Sequence, residues 1–223
     1  MHSHILPKVD HGSSSVECSV EQCLKAVDAG VEVLVATPHF YMDSDSVDLF
    51  LERREHAYTG LSKAVEKPKI LKAAEVTIYP GIENLHRLDE LCIEGTNCIL
   101  LEMPQVVDYE WVFQSIFDIM AGRGLRPIIA HIDRYRLDKI QRLFEMNVII
   151  QVNAAALLPL LKSRCLMGLF KDNRAHLLGS DAHHSGNEYS DFKKAREKLG
   201  KLHDRVMQNA YNVITNNTVL EKW

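Results

Sequence analysis

Val31-Glu32-Val33-Leu34-Val35-Ala36-Thr37-Pro38-His39 decides how the chain is read. An apolar, β-branched run, Val31–Thr37, reads as a buried strand and leads through Pro38 to an imidazole. The same order returns along the chain. Ile70–Ile78 carries Glu75 in its second half, Cys98–Leu101 is followed by Glu102, and Pro127–Ala130 by His131. Ala175–Gly179 leads to Asp181 and His183, and Val148–Val152 is a sixth strand-like run. Between these runs lie stretches that read as helices: Glu17–Ala29, Ser46–Val65, Ile82–Ile93, Tyr109–Ala121, Arg134–Glu145 and Ala154–Leu169. The polar stretch His183–Arg196 reads as a loop running into a helix.

Nearly continuous apolar strands alternating with helices predict a parallel sheet covered by helices, closed as a barrel or nearly so. No Pro/Gly/Ser linker, repeat or low-complexity segment divides the sequence, so residues 1–223 read as one domain. Five successive strands thus end in or beside a carboxylate or imidazole, the place where barrels carry their chemistry. His2-Ser3-His4 adds two imidazoles that an extended segment points to one side, and Asp181-Ala182-His183 repeats that spacing. Taken alone, such a pair near a terminus reads as a surface feature, and a lone strand-end His as a structural one. Their coincidence at equivalent strand ends points instead to a metal site. Imidazole with carboxylate suits Zn²⁺, Mn²⁺ or Fe²⁺, and several carboxylates able to bridge point to more than one ion. His56, His86, His176 and His203 sit away from those ends and receive no role.

The composition narrows the alternatives. Of 223 residues 46% are hydrophobic and 25% charged, and 26 basic against 30 acidic residues give a net charge of −4. That excludes binding nucleic acid by broad electrostatic attraction. No apolar run reaches the ~20 residues that cross a bilayer, so no membrane insertion is expected. Cys18, Cys23, Cys92, Cys98 and Cys165 form no C-x-x-C pair and read as reduced, mostly buried thiols of a cytoplasmic protein. None precedes an Arg by six residues, so a thiol phosphatase loop is excluded; Cys165 has Lys171 in that slot.

His2-Ser3-His4-Ile5-Leu6-Pro7, Asp10, Gly12, Ala36-Thr37-Pro38-His39, Glu75, Leu100-Leu101-Glu102, Ala130-His131-Ile132-Asp133-Arg134-Tyr135, Gln151-Val152-Asn153 and Ser180-Asp181-Ala182-His183 together resemble one family. It is the polymerase and histidinol phosphatase (PHP) superfamily, and within it the tyrosine-protein phosphatases encoded with bacterial capsule and exopolysaccharide genes. The resemblance runs from residue 2 to about residue 215. It implies an α/β fold, a distorted (β/α)7 TIM-like barrel with a very short first strand, since only Met1 precedes His2.

It also implies two or three divalent ions, manganese first, with Fe, Zn and Co as alternatives. One ion would be held by His2, His4, Glu75 and Asp181. A second would share Glu75 with Glu102 and His131, and a third would take His39, His183 and His11. Asp10 would orient a ligand or water, and Arg134 would bind phosphate. The implied reaction is hydrolysis of phosphotyrosine by a metal-activated hydroxide, with His39 or His183 giving the leaving oxygen its proton. The implied substrate is a phosphotyrosine protein, the C-terminal tail of a bacterial tyrosine kinase controlling polysaccharide synthesis. Alternatives are a small-molecule phosphomonoesterase such as histidinol phosphatase, or a metal-binding partner protein with weak turnover. Two departures from the capsule enzymes stand out: His11 occupies a position where they carry Asp, and Ser185–Asp191 lacks the Arg they place after Asp-x-His. The exposed-looking His184 is the nearest substitute for that Arg. Leu220 and Trp223 in the carboxyl tail read as packing on the barrel or on a partner.

Overall fold

The computed structural model describes residues 1–217; Leu220 and Trp223 lie outside the described residues. The predicted strands form a curled, all-parallel sheet. Val33–Ala36 (β1) pairs with Lys69–Lys72 (β3), and His39–Phe40 (β2) pairs with Glu75–Thr77 (β4). Cys98–Glu102 (β5), Arg126–Ile129 (β6), Ile149–Asn153 (β7) and Leu177–Gly179 (β8) follow β4 in that order. The Ile70–Ile78 run is therefore two strands. Ala74 turns its N–H out of the ladder to Leu91 C=O (3.1 Å), while Ala73 N–H to Ala36 C=O (2.9 Å) and Glu75 N–H to Pro38 C=O (3.0 Å) keep the two pairs continuous.

The first four residues run between the two sheet edges. Thr37 N–H donates to Ser3 C=O (2.8 Å) on one side; Asp181 N–H donates to His2 C=O (2.9 Å) and His4 N–H to Ala182 C=O (2.7 Å) on the other. As expected, this strand is very short: it amounts to one bridge, Ser3 to Ala182.

Helices cover the convex face. Val16–Asp28 (α1) starts where Ser15 Oγ accepts the Cys18 N–H, and Val47–Ser62 (α2) where Ser46 Oγ accepts that of Leu49. Glu110–Arg123 (α3) stops at Gly124, whose φ of 64° ends the helix in a left-handed turn. Leu160–Lys171 (α4), Glu188–Leu199 (α5) and His203–Ile214 (α6) complete the set. Ile99, Leu101, Ile129, Ile150 and Val152 face these helices in the main core, while Val35, Leu71, Cys98, Leu100, Ile128, Ile149 and Leu177 form a separate cluster on the concave face. Val213 of α6 joins that inner cluster.

Two predicted helices are corrected. Ile82–Ile93 holds two 3-10 turns, Ile82–Asn84 and Leu88–Leu91, and Arg134–Glu145 lies across three more, ending in Gln141–Glu145. Their apolar residues explain why. Ile82, Leu85, Leu88 and Leu91, like Leu137, Ile140, Leu143 and Met146, recur every third residue. That is the 3-10 period, and an α-helix would rotate such a row off the core. Ala154–Leu169 likewise splits into a 3-10 turn, Ala154–Leu157, and α4, whose cap is Pro159. Of the cysteines, Cys23, Cys92 and Cys98 are buried, Cys18 is half-buried and Cys165 exposed, all as free thiols.

Candidate metal centre

In a strand every second residue points to the same face. Followed upward on the concave face, the strands pass from aliphatic side chains to potential ligands: Val35, Thr37, His39; Leu71, Ala73, Glu75; Cys98, Leu100, Glu102; Ile149, Gln151, Asn153; Leu177, Gly179, Asp181. His131 is the exception, out of step with Ile128 and Ala130. Its backbone has φ 32° and ψ 56°, a left-handed kink that turns the imidazole back into the same cup. Asp181 is also left-handed, at φ 52°.

The side chains meet closely. His2 Nε2 lies 3.1 Å from His4 Nε2, 3.0 Å from Glu75 Oε2 and 3.4 Å from Asp181 Oδ1. His4 Nε2 lies 3.2 Å from Glu75 Oε2 and 3.5 Å from Asp181 Oδ1. On the other side of Glu75, His131 Nε2 stands 2.7 Å from Glu75 Oε1 and 3.5 Å from Glu102 Oε1. His39 Nδ1 is 3.4 Å from Glu75 Oε2 and 4.0 Å from Glu102 Oε2. His2, His4, Glu75, His131, Asp181 and His39 are all buried.

Three groups bring one ligand atom from each member within 4.8 Å of the others: His2, His4, Glu75 and Asp181; His39, Glu75 and Glu102; and His4, His39 and His183. His11 is exposed and belongs to none of them, although its ring stacks on those of His39 (4.8 Å) and His183 (4.7 Å). Asp10 reaches two site members, accepting from His4 Nδ1 (2.6 Å) through Oδ2 and from the His39 backbone N–H (3.0 Å). Its other oxygen takes the Gly12 N–H (2.8 Å), and a Cβ at Gly12 would run into His4. Arg134 pairs with Asp181 Oδ2 and lies 3.8 Å from Glu102 Oε1, with its side chain 44% exposed at the rim. His56, His86 and His184 are exposed outside the cup, His184 beside His183 with ring centres 6.3 Å apart; His176 and His203 are also outside it.

The donor set fits divalent cations. His4 Nδ1 is committed to Asp10 and His2 Nδ1 to Gln151 Oε1, so in the neutral rings both Nε2 atoms present lone pairs to each other and to two carboxylates. Lone pairs crowded at that distance repel unless a cation lies between them. His39 Nδ1 and Asp181 Oδ1 are buried without a hydrogen-bond partner, an arrangement costly for polar atoms that lack one.

The same crowding sets the protonation: where no cation lies between them, the carboxylates draw a proton onto His4. Burial works against the charges of both His4 and Glu75. Even so, Asp10, Asp181 and Glu75 raise His4 well above the usual imidazole range, and His2, His131 and His4 hold Glu75 well below the carboxylate range. Asp181 is buried too, yet His4, His2 and Arg134 keep it low. Burial lowers His39 to about 4, so it is a neutral imidazole at pH 7. Burial and the neighbouring Glu75 push Glu102 up.

Gln151 and Asn153 have contacts that the sequence did not reveal. Gln151-Val152-Asn153 contributes to the family resemblance, but uncharged amides in an apolar strand say nothing of their own role beyond standing two residues apart, in step with Ile149.

The chain is similar to known proteins. A family profile described as capsular polysaccharide synthesis, CpsB/CapC, matches residues 1–220. The tyrosine-protein phosphatase YwqE of Bacillus subtilis (strain 168) is 26% identical over 241 residues, covering 100% of this chain and 93% of its own. The tyrosine-protein phosphatase CpsB of Streptococcus pneumoniae is 25% identical over 224 residues, with 90% and 89% covered. A crystal structure from work on YwqE of B. subtilis and CpsB of S. pneumoniae, described as unique metal-dependent tyrosine phosphatases, superposes with a TM-score of 0.80. It is 24% identical and covers 99% of this chain and 96% of its own, which establishes the shared fold.

Proposed function

The chain belongs to the CpsB/CapC family of capsular polysaccharide synthesis, and from that premise we propose that it is a metal-dependent protein-tyrosine phosphatase. The observation that carries the reading is the buried convergence of His2, His4, Glu75 and Asp181, with an unpartnered Asp181 oxygen at its centre. The sheet is read as a distorted (β/α)7 barrel of the PHP type whose first strand is reduced to Ser3, with residues 1–223 as one domain. Hydrogen bonds from the first four residues to both sheet edges support that reading.

His2, His4, Glu75 and Asp181 would hold one divalent ion, and Glu75, Glu102 and His131 a second. His39, His183 and the exposed His11 would hold a third, beside His4. Manganese is the first choice, with iron, zinc and cobalt as alternatives. Ions in these positions would acidify water from a pKa of 15.7 toward ~7 and offset charge on the phosphoryl oxygens.

The protein's own groups do the rest. Arg134 presents a planar fork of donors at the open rim, suited to two oxygens of a phosphoryl group. Asp10 fixes the His4 ring and the backbone at His39. Where it is not committed to an ion, His39 or His183 would pass a proton to the departing phenolic oxygen; His39 is neutral at pH 7, and half-buried His183 is the more accessible. A phenol, with a pKa near ~10, leaves more readily than an aliphatic alcohol. The substrate would be a phosphotyrosine protein, the tail of a tyrosine kinase of polysaccharide synthesis, met in the cytoplasm. Among the described residues no helix is long and apolar enough to cross a membrane.

The test is a substrate panel on protein stripped by chelation and reloaded with Mn²⁺. Phosphotyrosine peptide is expected to turn over at least tenfold faster than phosphoserine peptide and histidinol phosphate. Equal or reversed rates would replace the reading with a small-molecule phosphatase, and no turnover by any reloaded metal would replace it with a binding protein.

A further inference from the structure

Gln151 is the one large polar side chain in the middle layer of the concave face, between Ile149 below and Asn153 above, and it is fully buried. Its carboxamide oxygen lies 3.1 Å from the backbone nitrogen of His131 and 3.1 Å from His2 Nδ1. A backbone N–H can only donate, so the atom facing it is the oxygen, and the amide orientation is settled. An amide oxygen can only accept, so His2 must carry a proton on Nδ1, and in the neutral ring that leaves the lone pair on Nε2.

The other end of the amide is fixed the same way. Gln151 Nε2 donates to Asn153 Oδ1 (2.8 Å), and Asn153 Nδ2 donates to Asp181 Oδ2 (2.9 Å). Donor and acceptor alternate without conflict from the His131 N–H to the Asp181 carboxylate. Gly179, across the ladder in β8, makes the room: a Cβ there would run into Gln151 Nε2 and press on His2 Cβ.

We propose that Gln151 is a positioning residue for the ion held by His2, His4, Glu75 and Asp181: it sets the tautomer of His2 and, through Asn153, the aim of Asp181. The same oxygen braces the His131 N–H at its left-handed kink, so one amide links ligands contributed by three separate segments. Partners of this kind outside the ligands themselves typically contribute 10–100-fold to metal affinity. The proposal rests on the metal reading above.

The experiment uses the whole protein, first stripped of metal. Nitrogen-15 shifts of the His2 ring at pH 8.5 are expected to report the Nδ1–H tautomer, with Nε2 unprotonated. Gln151→Met keeps the length but has no oxygen or N–H, and should shift His2 toward the Nε2–H form. Its Mn²⁺ affinity, read by competition with a chelator, should fall about 10- to 100-fold. Gln151→Glu, which retains an acceptor for both His2 and His131 but loses the N–H given to Asn153 Oδ1, should keep the tautomer and lose less affinity than Gln151→Met. A wild-type His2 in the Nε2–H form overturns the proposal without any variant, should Gln151→Met fail to fold. An unchanged tautomer or an unchanged affinity in a folded Gln151→Met also overturns it. Wild-type protein that takes up no divalent ion, whatever the state of His2, overturns the metal reading and this role with it.

Discussion

The upper and lower layers of the concave face are built by the same strands, two to four residues apart, yet they contrast in everything but backbone. Below, Val35, Leu71, Leu100, Ile128, Ile149 and Leu177 pack as aliphatic surfaces that require nothing beyond the exclusion of water. Above, His39, Glu75, Glu102, His131 and Asp181 crowd polar atoms at 2.7 to 4.0 Å and leave some of them without partners. The lower layer stabilises the fold. The upper layer is held in place by it and leaves buried polar atoms free to meet ligands from outside the chain. A strand-end position therefore has a meaning that its residue type alone does not: the same buried depth serves packing at one level and chemistry at the next.

Three substitutions test that division, the first in the upper layer. His131→Ala should reduce kcat on phosphotyrosine peptide by at least about 100-fold, the top of the range for residues that only support a ligand. Its far-UV circular dichroism should remain that of wild type. Near-full activity would mean that the upper layer does not hold the chemistry. In the lower layer, Leu100→Ala should lower unfolding free energy by about 3 kcal/mol in urea, since it empties space in a core that cannot fully collapse. Mn²⁺ affinity should stay within a few-fold, and loss of metal binding would show that the layers are not separable.

The third comparison sets a buried histidine away from the cup against those within it. His176 accepts the Ile150 N–H at Nδ1 (2.9 Å), and burial lowers its pKa to about 4. The unfolded chain binds that proton near pH 6.5 and the native one does not, so stability is complete above 6.5 and is lost as pH falls toward 4. His176→Asn, which keeps an acceptor but cannot titrate, should lack this part of the acid loss, at most about 3 kcal/mol. Equal acid slopes in urea midpoints between pH 6.5 and 4, measured on metal-free protein, would show that His176 does not contribute.

The sequence was legible where the period-two rule acts alone. His39, Glu75, Glu102 and Asp181 follow aliphatic runs in step, and their convergence could be expected before any coordinates existed. His131 was found by its place after a strand, although its parity points it away from the cup; only the left-handed backbone corrects that. His11 was paired with His39 and His183 through the family resemblance, and the structure stacks its ring beside theirs but leaves it exposed. The 3-10 turns were misread because rows such as Ile82, Leu85, Leu88 and Leu91 satisfy the i, i+3 half of a helical pattern. Gln151 and Gly179 stayed silent because their roles lie in the space one leaves for the other across a ladder, and a linear string does not display that.

The left-handed backbones at His131 and Asp181 have a consequence for anyone improving this protein. A non-glycine residue in that conformation costs roughly 1–2 kcal/mol, which His131→Gly or Asp181→Gly would relieve at the backbone. A library selected for heat resistance alone would therefore drift toward those two changes and shed turnover as its melting temperature rose. Durability and catalysis pull in opposite directions at these two positions, and selections should hold both fixed.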